Sequence, residues 1–317
     1  MKKSTLTKPI IAYILIIMKR TLPKILAVLG PTSSGKSDLA VFLAEKFDGE
    51  VVSADSRQVY RGLDIATGKI TAEEMRGIPH HLLDVADPKD RHTVSHFKRD
   101  AEFVIDDILS RGKLPIICGG TMQFVNAVTE NFITPETLPD EKLRGELYAK
   151  SNDELFAELQ TLDPRRAEKI DRNNPRRLVR AIEIARALGS VPKIPDLPKK
   201  YDTLKIAIQT DKEILRERIG RRLDARLKLG MIAEAEKLHA SGISFERMRE
   251  LGLEYRYLAD LFEGRISGEK MKEKIFFKDW QYAKRQITWL KRDPEIRWFP
   301  LSDQTKIVAL SENFLTS

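Results

Sequence analysis

The stretch that decides the fold is LAVLGPTSSGKSDLA, from Leu26 to Ala40. An apolar run leads into GPTSSGKS, which matches the phosphate-loop pattern G-x-x-x-x-G-K-[ST] in full and opens a helical pattern. The glycines let successive N–H groups point inward, Lys36 adds a full positive charge, and Ser37 offers a hydroxyl to a magnesium ion. The pattern predicts a site for a diphosphate with Mg²⁺, formed by Gly30, Pro31, Thr32, Ser33, Ser34, Gly35, Lys36 and Ser37.

Short apolar runs rich in β-branched residues predict strands that are buried on both faces of a parallel sheet. Helical patterns lie between them, and Ser95 is placed to begin the second helix. We therefore expect an α/β fold: a P-loop NTPase-like parallel sheet flanked by helices, with an inserted helical subdomain. The predicted strands are Ile25–Leu29, Val51–Ala54, Leu114–Cys118, Lys205–Thr210 and a possible one near Ile296–Phe299, and the two predicted helices are Ser37–Phe47 and Ser95–Arg111.

The character of the sequence changes between about Pro135 and Lys200, where strand patterns vanish and charged helical patterns dominate. The expected parts are an N-terminal extension outside the fold (1–22), the first part of the core (23–134), an inserted helical subdomain (135–200), and the rest of the core with the C-terminal helices (201–317). The apolar segment 9–18 could be taken for a signal peptide, but it is too short to span a bilayer. We expect residues 1–17 to be a translated extension and Met18 to be the working start.

Composition narrows the class of protein. The 317 residues are 42% hydrophobic and carry 55 basic against 47 acidic side chains, a net charge of +8 that favours polyanionic partners. The single cysteine, Cys118, lies in the apolar run LPIIC, so it forms no internal disulfide and is expected to be buried. We expect a cytoplasmic protein, with no membrane partner, that acts as a monomer.

A second group of polar residues follows the predicted strands. Asp55 and Thr121 each come just after a strand, at the edge where open α/β sheets hold their ligands, so both should face the phosphate loop. Two structural readings remain: Asp55 caps the next segment, and Gly119-Gly120 is only a tight turn. The sequence has no N-K-x-D motif for guanine, whereas a P-loop small-molecule kinase remains an alternative.

Seven motifs occur in an order that resembles the tRNA dimethylallyltransferase family, over almost the whole chain after Met18. They are GPTSSGKS, DSRQVYRGLDI, GIPHHLLD, LPIICGGT, NNPRRLVRAIEI, RIGRRLD and YAKRQITWL. The resemblance implies a prenyltransferase that moves a dimethylallyl group from dimethylallyl diphosphate to N6 of the adenine 3′ of the anticodon. Read alone, the loop is typical of ATP or another nucleotide, but in this family it holds the diphosphate of the prenyl donor, with Mg²⁺.

The resemblance also assigns roles to residues. Asp55 matches the aspartate that accepts a proton from the adenine amine, and Thr121 matches the threonine beside the base and the donor. Arg222 is the best match to the arginine that reaches the diphosphate, with Arg218 a near competitor. The sequence departs from the family pattern at DIATGKI (Asp64–Ile70) and GGTMQF (Gly119–Phe124), which leaves the wall of the prenyl pocket open.

Arginine suits both phosphate groups and bases, so the basic helical segments are candidates for the tRNA anticodon stem-loop. A helix is expected to begin at Pro175 and end at Gly189, with Leu178, Ile182, Ala185 and Leu188 buried. In the C-terminal segment, Phe276, Trp280, Ala283, Ile287 and Leu290 follow a buried helical spacing. The tRNA-binding residues that the resemblance implies are Asp55, Ser56, Arg57, Gln58, Thr121, Arg144, Arg176, Arg177, Arg180, Lys284, Arg285 and Gln286.

Overall fold

A computed structural model describes residues 21–132, 135, 137, 140–193 and 197–317. The expected extension over residues 1–22, with Met18 as the working start, lies outside the described residues except for Thr21 and Leu22, which are exposed. The described residues divide into two compact units: one runs to Asn131 and resumes at Lys199, and the other runs from Phe132 to Pro198.

The first unit contains a six-stranded sheet with the order β3-β2-β4-β1-β5-β6, in which every neighbouring pair is parallel. The parallel α/β architecture predicted from the apolar runs is therefore confirmed. The strands are β1 (Lys24–Leu29), β2 (Gly49–Ala54), β3 (His80–His81), β4 (Leu114–Gly119), β5 (Asp202–Gln209) and β6 (Arg297–Pro300).

Successive residues of β1 pack into two different cores because strand side chains alternate between faces. Ile25, Ala27 and Leu29 belong to the larger apolar cluster, whereas Leu26 and Val28 belong to the one on the opposite face. All five residues are fully buried. Each large aliphatic side chain buried in this way stabilises the fold by about 1.5–3 kcal/mol, and the two-sided burial explains why the run has no polar alternation.

The described residues form fourteen helices, most of them capped by a polar residue. Thr93, Asn174 and Ser267, for example, each accept a hydrogen bond from a backbone N–H in the first turn of the helix that follows. The helices are α1 (Lys36–Lys46), α2 (Ala72–Met75), α3 (Val94–Ser110), α4 (Met122–Thr129), α5 (Glu141–Tyr148), α6 (Asn152–Leu162), α7 (Pro164–Ala167), α8 (Pro175–Leu188), α9 (Lys212–Lys228), α10 (Met231–Ala240), α11 (Phe245–Leu251), α12 (Leu253–Phe262), α13 (Gly268–Leu290) and α14 (Gln304–Thr316).

Three details differ from the sequence-based expectations. The cap of α3 is Thr93 and not Ser95, because the Thr93 hydroxyl reaches the N–H of His96 in a capping box. Leu188 is 51% exposed at the last position of α8, so it is not part of the buried stripe. The strand β3 was not predicted, because two histidines carry no apolar pattern.

The buried stripe of α13 is also partly polar. Ala283 and Leu290 are buried as expected, but Phe276, Trp280 and Ile287 are only partly buried. Asp279 and Gln286 are instead 7% and 6% exposed. These two polar side chains can be buried because each is hydrogen-bonded to another part of the protein.

The second unit consists of helices α5 to α8, packed around their own apolar cluster, which includes Leu147, Leu155, Leu159 and Leu178. The helix α8 begins at Pro175 and is followed by Gly189 in the left-handed conformation, as the sequence indicates. Elsewhere in the described chain, Cys118 is a free, buried thiol whose pKa burial raises to about 11. None of the described helices is long and apolar enough to cross a membrane.

Candidate active site at the carboxyl edge of the sheet

The phosphate loop connects β1 to α1 at the carboxyl edge of the sheet. Its backbone turns through Ser33 and Gly35, which have φ angles of 62° and 90°. The N–H groups of Gly35, Lys36 and Ser37 donate to no acceptor among the described residues. Because α1 starts here, these N–H groups lie at the positive end of an eleven-residue helix, an arrangement that binds anions.

Lys36 brings a cation into this loop. Its Nζ donates to the carbonyl of Pro31 at 3.4 Å. Burial lowers the pKa of Lys36, and the charge of Arg222 lowers it further, against the opposing effects of Cys118 and Asp55. A bound anion would favour the charged form of Lys36, so the electrostatics of this loop suit a negatively charged ligand.

Asp55 and Thr121 meet at the same edge because β2 and β4 are parallel neighbours. The N–H of Ser56 donates to Thr121 Oγ1 at 3.2 Å, which joins the two turns directly. Asp55 Oδ1 accepts from the N–H of Arg57 at 2.8 Å and of Gln58 at 3.4 Å. Asp55 therefore does cap the next segment, but with one oxygen only, and Oδ2 accepts no hydrogen bond within the described part of the chain.

Arg222 extends from α9 to the phosphate loop. It donates to the carbonyl of Gly68 at 2.7 Å and to Thr32 Oγ1 at 3.4 Å. Gly68 has a φ angle of 60°, which favours glycine, and a Cβ there would lie 2.3 Å from the Arg222 guanidinium and displace it. Arg218, one turn earlier, reaches the carbonyl of Ser34 at 3.5 Å. Both arginines thus contact the phosphate loop, and only Arg222 joins it to the 64–68 turn.

Behind Arg222 lies a buried ion-pair network that the sequence reasoning did not find. Arg226 donates to Glu254 at 2.8 Å and to Asp279 at 3.1 Å, and it also binds the carbonyl of Ala66. Burial raises the pKa of Asp279, and the charge of Glu254 raises it further, while Arg226 opposes the shift. The only signal in the sequence is the spacing of Arg222 and Arg226, which places both on one face of α9.

Tyr282 on α13 is another missed residue. Its hydroxyl lies near the side chain of Thr121 and near the charge of Asp55. Burial, and then the Asp55 charge, raise its pKa to about 12. Tyr282 therefore stays protonated at neutral pH and forms part of the wall around Asp55 and Thr121.

The first unit contains several residues that were predicted to bind tRNA. Some of their side chains are exposed, and others are hydrogen-bonded to the protein backbone. Arg57, Lys284 and Arg285 are exposed, with the guanidinium of Arg285 5.8 Å from the centre of the Tyr282 ring. Gln58 donates to the carbonyl of Gly68 at 3.2 Å. Gln286, for which the resemblance implies a tRNA contact, is buried and bound to two loops of the site.

The predicted arginines of the second unit fall into two groups. Arg176 and Arg177 are exposed in the first turn of α8. Arg144 and Arg180 both pair with the carboxylate of Glu183, which is 2% exposed. The first two arginines are thus exposed to solvent, whereas the second two stabilise the packing of α5 on α8.

One acidic cluster outside this edge has the spacing of a metal site. Glu130, Asp293 and Glu295 place their oxygens within 4.8 Å of one another. The ammonium of Lys205, 1% exposed, lies among them, 2.8 Å from Asp293 and 3.0 Å from Glu295. The three carboxylates therefore balance a buried lysine, whose pKa they raise against the effect of burial.

Comparisons with known proteins match nearly the whole chain. The family model described as IPP transferase matches residues 58–293. A tRNA dimethylallyltransferase from Halalkalibacterium halodurans is 38% identical over 290 residues, which cover 88% of this chain and 92% of that relative. The tRNA dimethylallyltransferase 1 of Geotalea daltonii is 43% identical over 268 residues, 84% of this chain and 86% of the relative.

Solved structures agree with the sequence relatives. The full-length tRNA isopentenylpyrophosphate transferase from Bacillus halodurans superimposes with a TM-score of 0.69 at 35% identity, over 92% of this chain and 95% of that one. A eukaryotic dimethylallyltransferase acting on tRNA gives a TM-score of 0.78 at 26% identity, over 93% of this chain and 80% of that one.

Proposed function

Because this chain belongs to the IPP transferase family, we propose that Asp55, Thr121 and Arg222 perform in it the reaction of a tRNA dimethylallyltransferase. The reaction transfers a dimethylallyl group from dimethylallyl diphosphate to N6 of the adenine 3′ of the anticodon. The observation that carries the proposal is the hydrogen bond from Ser56 N–H to Thr121 Oγ1. It joins the turn of Asp55 to the turn of Thr121 at the sheet edge that also presents the phosphate loop.

Asp55 acts as the general base. The adenine amine is a poor nucleophile because its lone pair is delocalised into the ring. As N6 forms a bond to C1 of the dimethylallyl group, the bond from C1 to the diphosphate oxygen breaks and a proton passes from N6 to Asp55 Oδ2. Asp55 Oδ1 stays bound to the N–H of Arg57, which holds the carboxylate in place during this transfer. Thr121 and Tyr282 border the position of the amine.

The phosphate loop stabilises the leaving group. Its open N–H groups, Lys36 and Arg222 surround the diphosphate as its negative charge grows. The loop also fits Mg²⁺, because Ser37 offers a hard oxygen ligand and the buried Ser34 Oγ has no hydrogen-bond partner in the described chain. Ser37 and the diphosphate oxygens would hold this ion, which supplies further neutralisation of the leaving group when bound.

The tRNA is held by residues outside this pocket. We assign Arg57, Arg176, Arg177, Lys284 and Arg285 to the anticodon stem-loop, because they are exposed cations on a protein of net charge +8. The target adenine leaves its stack to reach Asp55, at a cost of a few kcal/mol that is lowest in a loop.

We further propose that the protein acts as a monomer in the cytoplasm. The phosphate loop, Asp55, Thr121 and Arg222 all come from one chain, so the chemistry needs no second copy. The reduced, buried Cys118 fits a reducing compartment.

The decisive experiment supplies unmodified tRNA, Mg²⁺ and labelled dimethylallyl diphosphate, and measures label in the RNA. We expect transfer that depends on all three components. A matched reaction with labelled ATP and small acceptors tests the kinase alternative. Phosphorylation of an acceptor without prenylation of tRNA would refute the proposed function.

A further inference from the structure

We propose that Gln286 is a positioning residue that fixes the phosphate loop relative to Thr121, and that it does not contact tRNA. The inference rests on the proposed function, since it concerns the alignment of the prenyl donor with the amine. It changes the role of one residue in the segment KRQ, Lys284–Gln286, for which the sequence resemblance implied a single RNA-binding role.

The side-chain amide of Gln286 bridges two loops. Its Oε1 accepts from the N–H of Thr32, in the phosphate loop, at 2.9 Å. Its Nε2 donates to the carbonyl of Gly120, directly before Thr121, at 3.0 Å. Only one orientation of the amide satisfies both bonds, because one partner is a donor and the other an acceptor.

The surroundings leave little freedom to this bridge. Gln286 is 6% exposed, and its bond to Gly120 is fully buried. A Cβ on Gly120 would lie 2.2 Å from Gln286 Nε2, so the amide occupies the space that a larger residue would need. Breaking either bond would leave a buried polar group unpaired, which costs free energy. The two bonds therefore keep both loops attached to α13.

The bridge lies between the two halves of the reaction. The Thr32 hydroxyl also accepts a hydrogen bond from Arg222. On the side of the prenyl donor, hydrogen bonds therefore connect Gln286 to Thr32 and Thr32 to Arg222. On the acceptor side, Gly120 is followed by Thr121, which is bound to Ser56 beside Asp55. The separation of the two loops sets the distance between the donor carbon and the amine, and an error of about 1 Å in such a distance can cost 10²-fold in rate.

Helix geometry explains why neighbours in one motif have different roles. Consecutive residues of α13 point about 100° apart, so Gln286 can face the sheet while Lys284 and Arg285 face away from it. Both cations are exposed, and each lies over an aromatic ring of the same helix: Trp280 at 5.6 Å and Tyr282 at 5.8 Å. The exposed pair is suited to RNA, and the buried amide is not.

The test compares Gln286→Met with Arg285→Met in the full chain. Methionine has nearly the length of glutamine but makes neither hydrogen bond. We expect Gln286→Met to lower kcat at saturating tRNA about 30- to 100-fold, with the Kd for unmodified tRNA within about twofold of the wild type. Arg285→Met should do the reverse: weaker tRNA binding and a kcat at saturating tRNA within about threefold.

Two further measurements separate the possible failures. Calorimetry measures the affinity of the protein for inorganic diphosphate with Mg²⁺, which depends on the phosphate loop and involves no transfer. We expect this affinity to be weaker in Gln286→Met. If Gln286→Met does not fold, Gln286→Asn takes its place as the test variant. It keeps the amide but is one methylene too short to bridge both loops, so it should show the same loss of kcat. A wild type that prenylates tRNA, with a Gln286 variant that loses tRNA affinity and keeps kcat, would overturn this inference. A wild type that does not prenylate tRNA would refute the proposed function instead.

Discussion

Asp55 uses its two carboxylate oxygens for different purposes. Oδ1 holds the backbone of Arg57 and Gln58, and in the proposed mechanism Oδ2 takes the proton from the amine. A substitution that removes the whole side chain therefore tests stability and chemistry together. Asparagine separates them, because it retains an oxygen that can accept from the Arg57 N–H and cannot take a proton from the amine.

We predict that Asp55→Asn lowers prenyl transfer by about 10²–10⁴-fold, the range typical of a lost general base. Its affinity for tRNA and its melting temperature should match the wild type. Asp55→Ala should lose the same activity and about 1 kcal/mol of stability besides, because the cap is gone. Single-turnover transfer and thermal unfolding measure the two effects, and normal transfer by Asp55→Asn would exclude the base role.

The planar guanidinium of Arg222 makes two hydrogen bonds that a lysine ammonium cannot reproduce together. Its guanidinium contacts Gly68 and Thr32 at once, whereas Arg218 contacts only the carbonyl of Ser34. We predict that Arg222→Lys raises KM for dimethylallyl diphosphate about tenfold or more, because a point charge replaces a planar fork. Arg218→Lys is the matched control and should change KM by less than about threefold. The opposite ranking in donor titrations would assign the diphosphate to Arg218.

The helix α10 holds the loop that carries Gly68. Glu234 accepts from three consecutive backbone N–H groups, of Asp64, Ile65 and Ala66, and from the hydroxyl of Tyr255 at 2.7 Å. This loop departs from the family sequence at DIATGKI. The change does not disturb its hydrogen bonds to Glu234, because only backbone N–H groups of the loop take part in them.

We predict that Glu234→Gln destabilises the protein by about 2–3 kcal/mol, because an amide NH₂ would face backbone donors and charge-assisted bonds would be lost. Glu236→Gln, at an exposed position of the same helix, should change stability by less than about 0.5 kcal/mol. Urea unfolding of the two variants gives the comparison, and equal stabilities would show that the loop is held by other contacts.

The phosphate loop, Asp55 and Thr121 could be placed because strand ends share one edge of a parallel sheet. Gln286, Asp279 and Arg226 could not, because a buried polar residue on a helix has the same pattern as an exposed one until its partner is known. Thr93 and Ser95 are equally good caps by composition, and only the course of the backbone selects Thr93.

For the whole molecule, a buried carboxylate links the sheet to its flanking helix. Glu50 in β2 is 3% exposed and is bound by Arg111, at the end of α3, and by His81 of β3 at 2.7 Å. Chiefly through the hydrogen bonds of Arg111, the pKa of Glu50 falls to about 2 from its ordinary value of 4.5. A lowered carboxyl pKa stabilises the fold above the ordinary value, and this stabilisation is lost as the pH falls towards 2.

We predict that Glu50→Gln is less stable than the wild type by about 2 kcal/mol at pH 7, after allowance for the solvent around Arg111. The difference should shrink as the pH falls from about 4.5 to about 2, because the wild type loses its ion pair there. Denaturant unfolding across this range measures the effect. A difference that does not change with pH would mean that Glu50 acts through packing and not through its charge.

The bridge made by Gln286 has a consequence for the order in which the protein is made. Gln286 follows Thr32 by 254 positions, and synthesis delivers the N-terminal residues first. A nascent chain therefore carries a phosphate loop long before the amide that aligns it with Thr121 has been added. An incomplete chain that stops before α13 therefore has both loops but lacks the side chain that ties them together.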